Sequence, residues 1–243
     1  MTISIVVPAF NEARGLPATL ASIRRATAAF DARGWRHELI VCDNNSTDAT
    51  AAIARDAGAT VVFEPINQIS RARNTGAAAA TGDWLVFVDA DSHPSPELFA
   101  DTADAIAGGR CLAGGATVAI DSTDRLGRGV VAVWNAISRA LRLAAGSFIF
   151  CDAQAFREVG GFSLDFYAAE ELDLFTRLKR LARRRGRTIV ILDAHPLVTS
   201  DRKARLYTKR EIAAGFLKSA FTLGRAVRNR DDCYIWYDGR REQ

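Results

Sequence analysis

The run Trp84-Leu85-Val86-Phe87-Val88, followed by Asp89-Ala90-Asp91, constrains this chain more than any other stretch. Five consecutive apolar residues, mostly β-branched or aromatic, fit a strand covered on both faces, as in parallel sheets with helices above and below. Two carboxylates then stop it. Acids at the carboxyl end of such a strand lie in the crevice where open α/β sheets bind ligands, and an i, i+2 pair can turn toward one cation where the chain curls. A divalent metal held there would bridge to phosphate. A solvated strand-end turn has the same composition, so the neighbouring stretches decide.

Those neighbours repeat the pattern. Ile3-Ser4-Ile5-Val6-Val7-Pro8 is a buried-type strand, Ala9-Phe10-Asn11-Glu12 a turn, and Leu16, Leu20, Ile23 and Phe30 recur at helical spacing. His37 to Asp43 is a second strand ending in an acid, and Asn44 to Asp48 supplies turn and N-cap chemistry before an alanine-rich helix. Thr60 to Phe63 is a short strand, and a helix from Ser70 to Ala80 carries Arg71 and Arg73. Strands alternating with helices through short loops predict a parallel sheet with right-handed crossovers, which brings Asp43 and Asp89 to the same edge.

Beyond Pro94 the alternation loosens. Helices are expected over Pro96–Ala107 and, amphipathic and carrying a core Trp134, over Val130–Leu143. Strands are expected over Ala116–Ile120, Gly146–Cys151 and Thr188–Leu192. Ala153 to Val159 leads to the turn Gly160-Gly161-Phe162, and a helix striped with Leu174, Leu178 and Leu181 begins near Glu170. Glu211 to Val227 fits a terminal helix.

With 243 residues, 49% of them hydrophobic, the chain suits one large α/β domain, and no linker divides it. No apolar run approaches the length of a membrane span and the amino terminus enters a strand directly, so a soluble cytoplasmic protein is expected. The four cysteines, Cys42, Cys111, Cys151 and Cys233, are widely spaced without a CxxC pair, which indicates packing rather than zinc or disulfides. Charge is unevenly spread: from Arg177 onward there are 18 Lys/Arg against 7 Asp/Glu, and before it 14 against 21. An acidic first part suits metal binding. The basic tail suits a phosphorylated substrate, an anionic membrane surface, nucleic acid or a plain solvated face. Nucleic acid is disfavoured because the tail lacks the interleaved aromatics of stacking platforms. Peripheral attachment to the membrane inner face, or packing within a dimer, would use the tail and the apolar residues from Val130 to Leu143.

Six stretches taken together resemble glycosyltransferase family 2: Pro8-Ala9-Phe10-Asn11-Glu12, Asp43, Ala72-Arg73-Asn74-Thr75-Gly76, Asp89-Ala90-Asp91, Val159-Gly160-Gly161-Phe162 and Glu170-Glu171-Leu172-Asp173-Leu174. The order and spacing hold from residue 3 to about 180. The resemblance implies a GT-A-like fold, with a Rossmann-related, mostly parallel sheet flanked by helices. It places a donor-nucleotide half at about 1–118 and an acceptor half at about 119–205, ahead of a basic segment over 206–243. It implies a metal-dependent, inverting transfer of a sugar from a nucleoside-diphosphate donor to a hydroxyl on a glycan, lipid-linked or small-molecule acceptor.

By the same resemblance Asp91 is the main Mg²⁺ or Mn²⁺ ligand, and Asp89 shares the metal or contacts the ribose. Pro8, Ala9, Asn11 and Glu12 line the nucleotide pocket, Asp43 bonds the base edge, and Glu171, with Glu170 as the alternative in register, is the base. Arg73 can meet phosphate or stack on the base from its helix. His195, in Asp193-Ala194-His195-Pro196, can complete the metal shell or mark a turn, and Arg202 can close over the diphosphate. A competing class is a sugar-nucleotide-binding protein without turnover, its acids serving only the helix dipole. A nucleotidyltransferase is disfavoured, because Pro-Ala-Phe-Asn-Glu stands where a glycine-rich phosphate loop would be.

Overall fold

The computed structural model describes residues 1–120, 125–199 and 226–233. One eight-stranded sheet runs through them in the order β3-β2-β1-β4-β7-β6-β8-β5. Its first part is β1 (Thr2–Ala9), β2 (Arg36–Asp43), β3 (Thr60–Phe63) and β4 (Trp84–Val88), all mutually parallel. The crossovers are α1 (Leu16–Ala26) with the short α2 (Ala28–Asp31), then α3 (Thr50–Asp56) and α4 (Ile69–Ala79). These elements match the expected alternation to within a residue or two at most boundaries.

Side chains alternate across this sheet because successive residues of a strand point to opposite faces. Ile3, Ile5, Val7, Trp84, Val86 and Val88 pack with Leu16, Leu20 and Ile23 of α1 and with Leu98 and Phe99 of α5 (Pro96–Ala107). Val6, Leu85 and Phe87 face the other way. They meet Ala77, Phe156 of α7 (Ala153–Glu158), and Leu174, Phe175 and Leu178 of α8 (Glu170–Arg184). Being buried on both faces is what turned β4 into an unbroken apolar run.

The second part reverses direction. β7 (Phe148–Asp152) runs antiparallel to β4, and β6 (Cys111–Ile120) antiparallel to β7. β8 (Thr188–Thr199) is parallel to β6, and the two-residue β5 (Ser92–His93) closes the far edge against β8. The reversal has a functional consequence. Val88 pairs with Phe148, so the loop entering β7 is delivered to the edge where β1, β2 and β4 end. There the Asp89 N–H donates to the Ser147 carbonyl at 3.1 Å.

Three elements depart furthest from expectation. β6 begins at Cys111 rather than Ala116, since Gly114 and Gly115 sit where a Cβ would strike Phe150, Val190 and Ala144, and small residues let neighbouring chains close in. β8 continues past Leu192 to Thr199. Its pairing with β6 jumps from Leu192 to Leu197, and the exposed Asp193–Pro196 segment bulges out between. α6 (Arg125–Leu141) starts earlier than its apolar periodicity suggested, and Trp134 packs partly buried on the core as expected. The four cysteines are free and buried, and burial pushes the Cys42 and Cys111 thiols up to about 12. Most of the expected terminal helix lies outside the described residues. Residues 226–228 form a short 3-10 turn whose Val227 carbonyl accepts the N–H groups of Tyr167 and Ala168 at 2.7 and 3.3 Å.

Candidate active site

At the carboxyl edge of β1 and β2 the chain builds a tight polar floor. Ala9 pairs with Asp43 in register, and the Ala9 carbonyl accepts the Asn44 N–H at 2.8 Å. Asn11 adopts φ 52°, a left-handed conformation that asparagine tolerates better than most residues. That turn aims its N–H at the Ser46 hydroxyl (2.9 Å) and its side-chain oxygen at the Thr47 N–H (2.8 Å). Asp43 is buried and accepts the Ser46 N–H at 3.1 Å. Buried Glu12 gives its N–H to Thr50 and its carbonyl to Gly15 and Leu16, starting α1. Asn44 reaches across to the carbonyls of Glu64 and Ile66 (3.1 and 2.8 Å), fixing the chain beyond β3. Pro8, Ala9, Asn11, Glu12 and Asp43 thus come together at one edge.

A second group gathers beside the end of β4. Arg73, 1% exposed, bonds Glu170, the Asp89 carboxylate (2.8 Å) and the Gly146 carbonyl (2.8 Å). Its guanidinium lies 5.1 Å from the centre of the Phe162 ring. Asn74 fastens that ring by bonding both the N–H (2.9 Å) and the carbonyl (2.8 Å) of Phe162. Gly161 next to it has φ 66°, and a Cβ there would come within 2.7 Å of the Asn74 oxygen. The Arg-Asn-Thr-Gly and Gly-Gly-Phe stretches are therefore two halves of one support.

Glu170 and Glu171 open α8 after Ala169, which holds φ 60°. That strained residue turns Glu170 inward to Arg73 and leaves its neighbour beside Gly146. A Cβ on Gly146 would sit 3.6 Å from a Glu171 carboxylate oxygen and 3.3 Å from an Arg73 nitrogen. Burial pushes the Glu171 carboxyl up to about 8, with Glu170 adding repulsion and Arg73 acting the other way. A carboxyl held that far above its usual range grips a proton once it has one.

Three of the expected site residues have partners within the fold. Arg73 lies buried beneath the crevice, where two acids and a carbonyl converge on its terminal nitrogens. Glu170 belongs to that same pair. His195 sits on the bulge of β8, where its Nδ1 meets Asp101 of α5 at 2.9 Å. Among the described residues no three His, Cys, Asp or Glu side chains cluster to hold a metal, so Asp89, Asp91 and His195 do not form a ready-made shell. Arg202 lies outside the described residues. Sequence reasoning gave Asn44, Asn74 and Gln68 no role as site supports. The buried Gln68 amide ties α4 to the carbonyls of Leu164 and Phe166 at 2.8 and 2.9 Å.

The sequence matches the family described as glycosyl transferase family 2 over residues 4–159, well over half its length. The chain belongs to that family. An uncharacterized glycosyltransferase of Mycobacterium tuberculosis is 40% identical over 89 residues, 37% of this chain and 36% of the relative. An undecaprenyl-phosphate 4-deoxy-4-formamido-L-arabinose transferase of Enterobacter is 34% identical over 102 residues, 39% and 30% of the two chains. The matches thus span about a third of these relatives' lengths. Among solved structures, S. aureus TarS 1–349 superposes with a TM-score of 0.64 at 17% identity, over 97% of this chain and 69% of its own. Glucosyl-3-phosphoglycerate synthase from Mycobacterium tuberculosis, crystallised with Mn²⁺, UDP and phosphoglyceric acid, gives 0.58 at 21% identity, over 92% and 78%. The fold is GT-A.

Proposed function

We propose that the protein transfers a sugar from a nucleoside-diphosphate donor to an acceptor hydroxyl by direct displacement with inversion. The observation that carries this is the convergence of Asp89, Gly146 and Glu171 on one crevice edge, with Glu171 kept out of the Arg73 pair and Glu170 held in it. The nucleotide rests on the edge formed by Pro8, Ala9, Asn11, Glu12 and Asp43, in the half at about 1–118. Asp43 accepts from a base N–H there. The acceptor enters over the half at about 119–205. TarS 1–349 has been crystallised with UDP-GlcNAc, which favours a uridine diphosphate donor.

In the transfer step the acceptor oxygen forms its bond to the anomeric carbon as the carbon–oxygen bond to the diphosphate breaks, the electron pair leaving with the diphosphate. Glu171 takes the hydroxyl proton. In its ionised form, which prevails above about pH 8, its raised proton affinity makes it a stronger base than an ordinary carboxylate. Gly146 leaves the space beside that carboxylate open for the acceptor.

Asp91 and Asp89 fit a magnesium- or manganese-type cation, whose preference is for one or two carboxylates, donor phosphates and water rather than an all-protein cage. Such a cation would offset the charge of the leaving diphosphate. The fit predicts that Mn²⁺ alone barely shifts the melting temperature, whereas Mn²⁺ with UDP or a UDP-sugar raises it. Asp91→Ala should remove the metal-dependent part of that rise. Glu171→Gln should keep it and lose about 10²–10⁴-fold in transfer rate. A panel of acceptors with no diphosphate release would instead identify a protein that only binds donor.

A further inference from the structure

α6 carries an exposed apolar stripe. Val130, Val133, Ile137 and Leu141 are 59, 61, 43 and 56% exposed, and their three- and four-residue spacing lines them along one side of the helix. The adjoining side, with Val131 and Trp134, is already packed on the core, so the stripe is surplus to the fold. Ala132, Ala136 and Ala140 form a shallow exposed floor beside it, beyond which come the exposed Arg128, Arg139 and Arg142. No acidic residue occurs from 125 to 141. Among the described residues, the acid paired with these arginines is Asp193, 3.3 Å from Arg139. At the helix end Lys179 donates to the Leu141 carbonyl at 2.5 Å. Arg142 and Arg183 stand near enough to disfavour its charge after burial has done so.

We infer that α6 docks the protein on an anionic lipid bilayer, lying in the interface with its apolar stripe among acyl chains and its arginines against headgroup phosphates. The helix cannot span: 17 residues reach only about 25 Å, and no helix among the described residues is long and apolar enough to cross a membrane. A narrow apolar stripe beside basic residues is the pattern of a helix that lies on the surface. A second copy is the poorer occupant, because an isologous contact would set arginines against arginines with no helix acid to answer them. The placement also has a use: five residues beyond Leu141 the chain reaches Gly146, beside Glu171. A membrane-held α6 would therefore present the crevice to acceptors at the lipid surface.

The test is co-sedimentation of the full chain with vesicles of phosphatidylcholine alone or mixed with phosphatidylglycerol. Binding is expected to the mixed vesicles and to weaken in high salt. The double variant Val133→Asp/Ile137→Asp should lose roughly tenfold or more in partitioning, and Arg128→Glu roughly fivefold or more. Both should keep the wild-type melting temperature and the UDP-induced shift, since these side chains face solvent. That readout separates this inference from the transferase reading, which stands or falls without it. Absence of binding to the mixed vesicles, or undiminished binding of the double variant, overturns the inference. So does a wild-type dimer in light scattering that the same double variant splits.

Discussion

The edge at the ends of β1 and β2 and the acid cluster occupy the same rim of the sheet and are held together in opposite ways. At the edge, Asn11, Asp43, Ser46 and Thr47 satisfy one another through turn hydrogen bonds between neutral groups or to one carboxylate. In the cluster, a buried guanidinium holds two carboxylates and a carbonyl from three separate segments. Ser46 and Thr47 reach solvent, so water can replace a bond lost on their side of the buried Asp43. A buried charge whose partner disappears has no replacement. The edge is therefore built to tolerate change and the cluster to forbid it.

Arg73→Met breaks the comparison most severely. It leaves Glu170, 4% exposed, facing Asp89 and Glu171 without a counter-charge. A loss of about 3–5 kcal/mol is expected in urea unfolding, together with release of the loop at Gly146. Recovery of most of that stability in Arg73→Met/Glu170→Leu would show that the uncompensated carboxylate, and not lost side-chain volume, was the cause. Equal stability of Arg73→Met and the wild type would mean that the cluster is not what fixes this rim.

Asp43→Ala probes the other region. Only the bond to the Ser46 N–H is lost to the fold, so the expected cost is about 0.5–1.5 kcal/mol. UDP-induced stabilisation should fall far more than the protein's own stability does. A variant that unfolds as readily as Arg73→Met would erase the distinction between the two regions.

The same distinction explains what the sequence made legible. β1 to β4 could be placed because both-face burial writes itself as apolar runs, and Asp43 and Asp89 could be put on one edge because parallel strands end together. The direction reversal at β7 could not, since Phe148–Asp152 has the same apolar look in either orientation. A helix start near a crevice suggests phosphate for Arg73, and the sequence could not show its partners within the fold: they lie 16, 73 and 97 residues away, separations no local pattern encodes. For a related reason the surroundings of His195 were hidden: β8 continues past it to Thr199. The different settings of Glu170 and Glu171 follow the backbone of Ala169, whose positive φ nothing in its side chain announces.

The mildest effect concerns protons. Burial and Glu170 hold the Glu171 carboxyl well above the range it has in an unfolded chain. Between those two ranges the folded protein binds a proton that the unfolded chain has released, so stability falls as pH rises through that interval. The contribution is whole below the unfolded value and gone once pH passes about 8. Glu171→Gln removes the titration while keeping the shape of the neutral acid. The variant and the wild type should therefore melt together near pH 5, and the variant should gain by a few degrees as pH is taken to 9. Because the shift arises from burial and from Glu170, away from Asp43, Asp43→Ala should melt in parallel with the wild type over the same range. A Glu171→Gln curve that tracks the wild type at every pH would show that Glu171 is already ionised in the free protein, and that its proton affinity is set by the solvent and not by burial and Glu170.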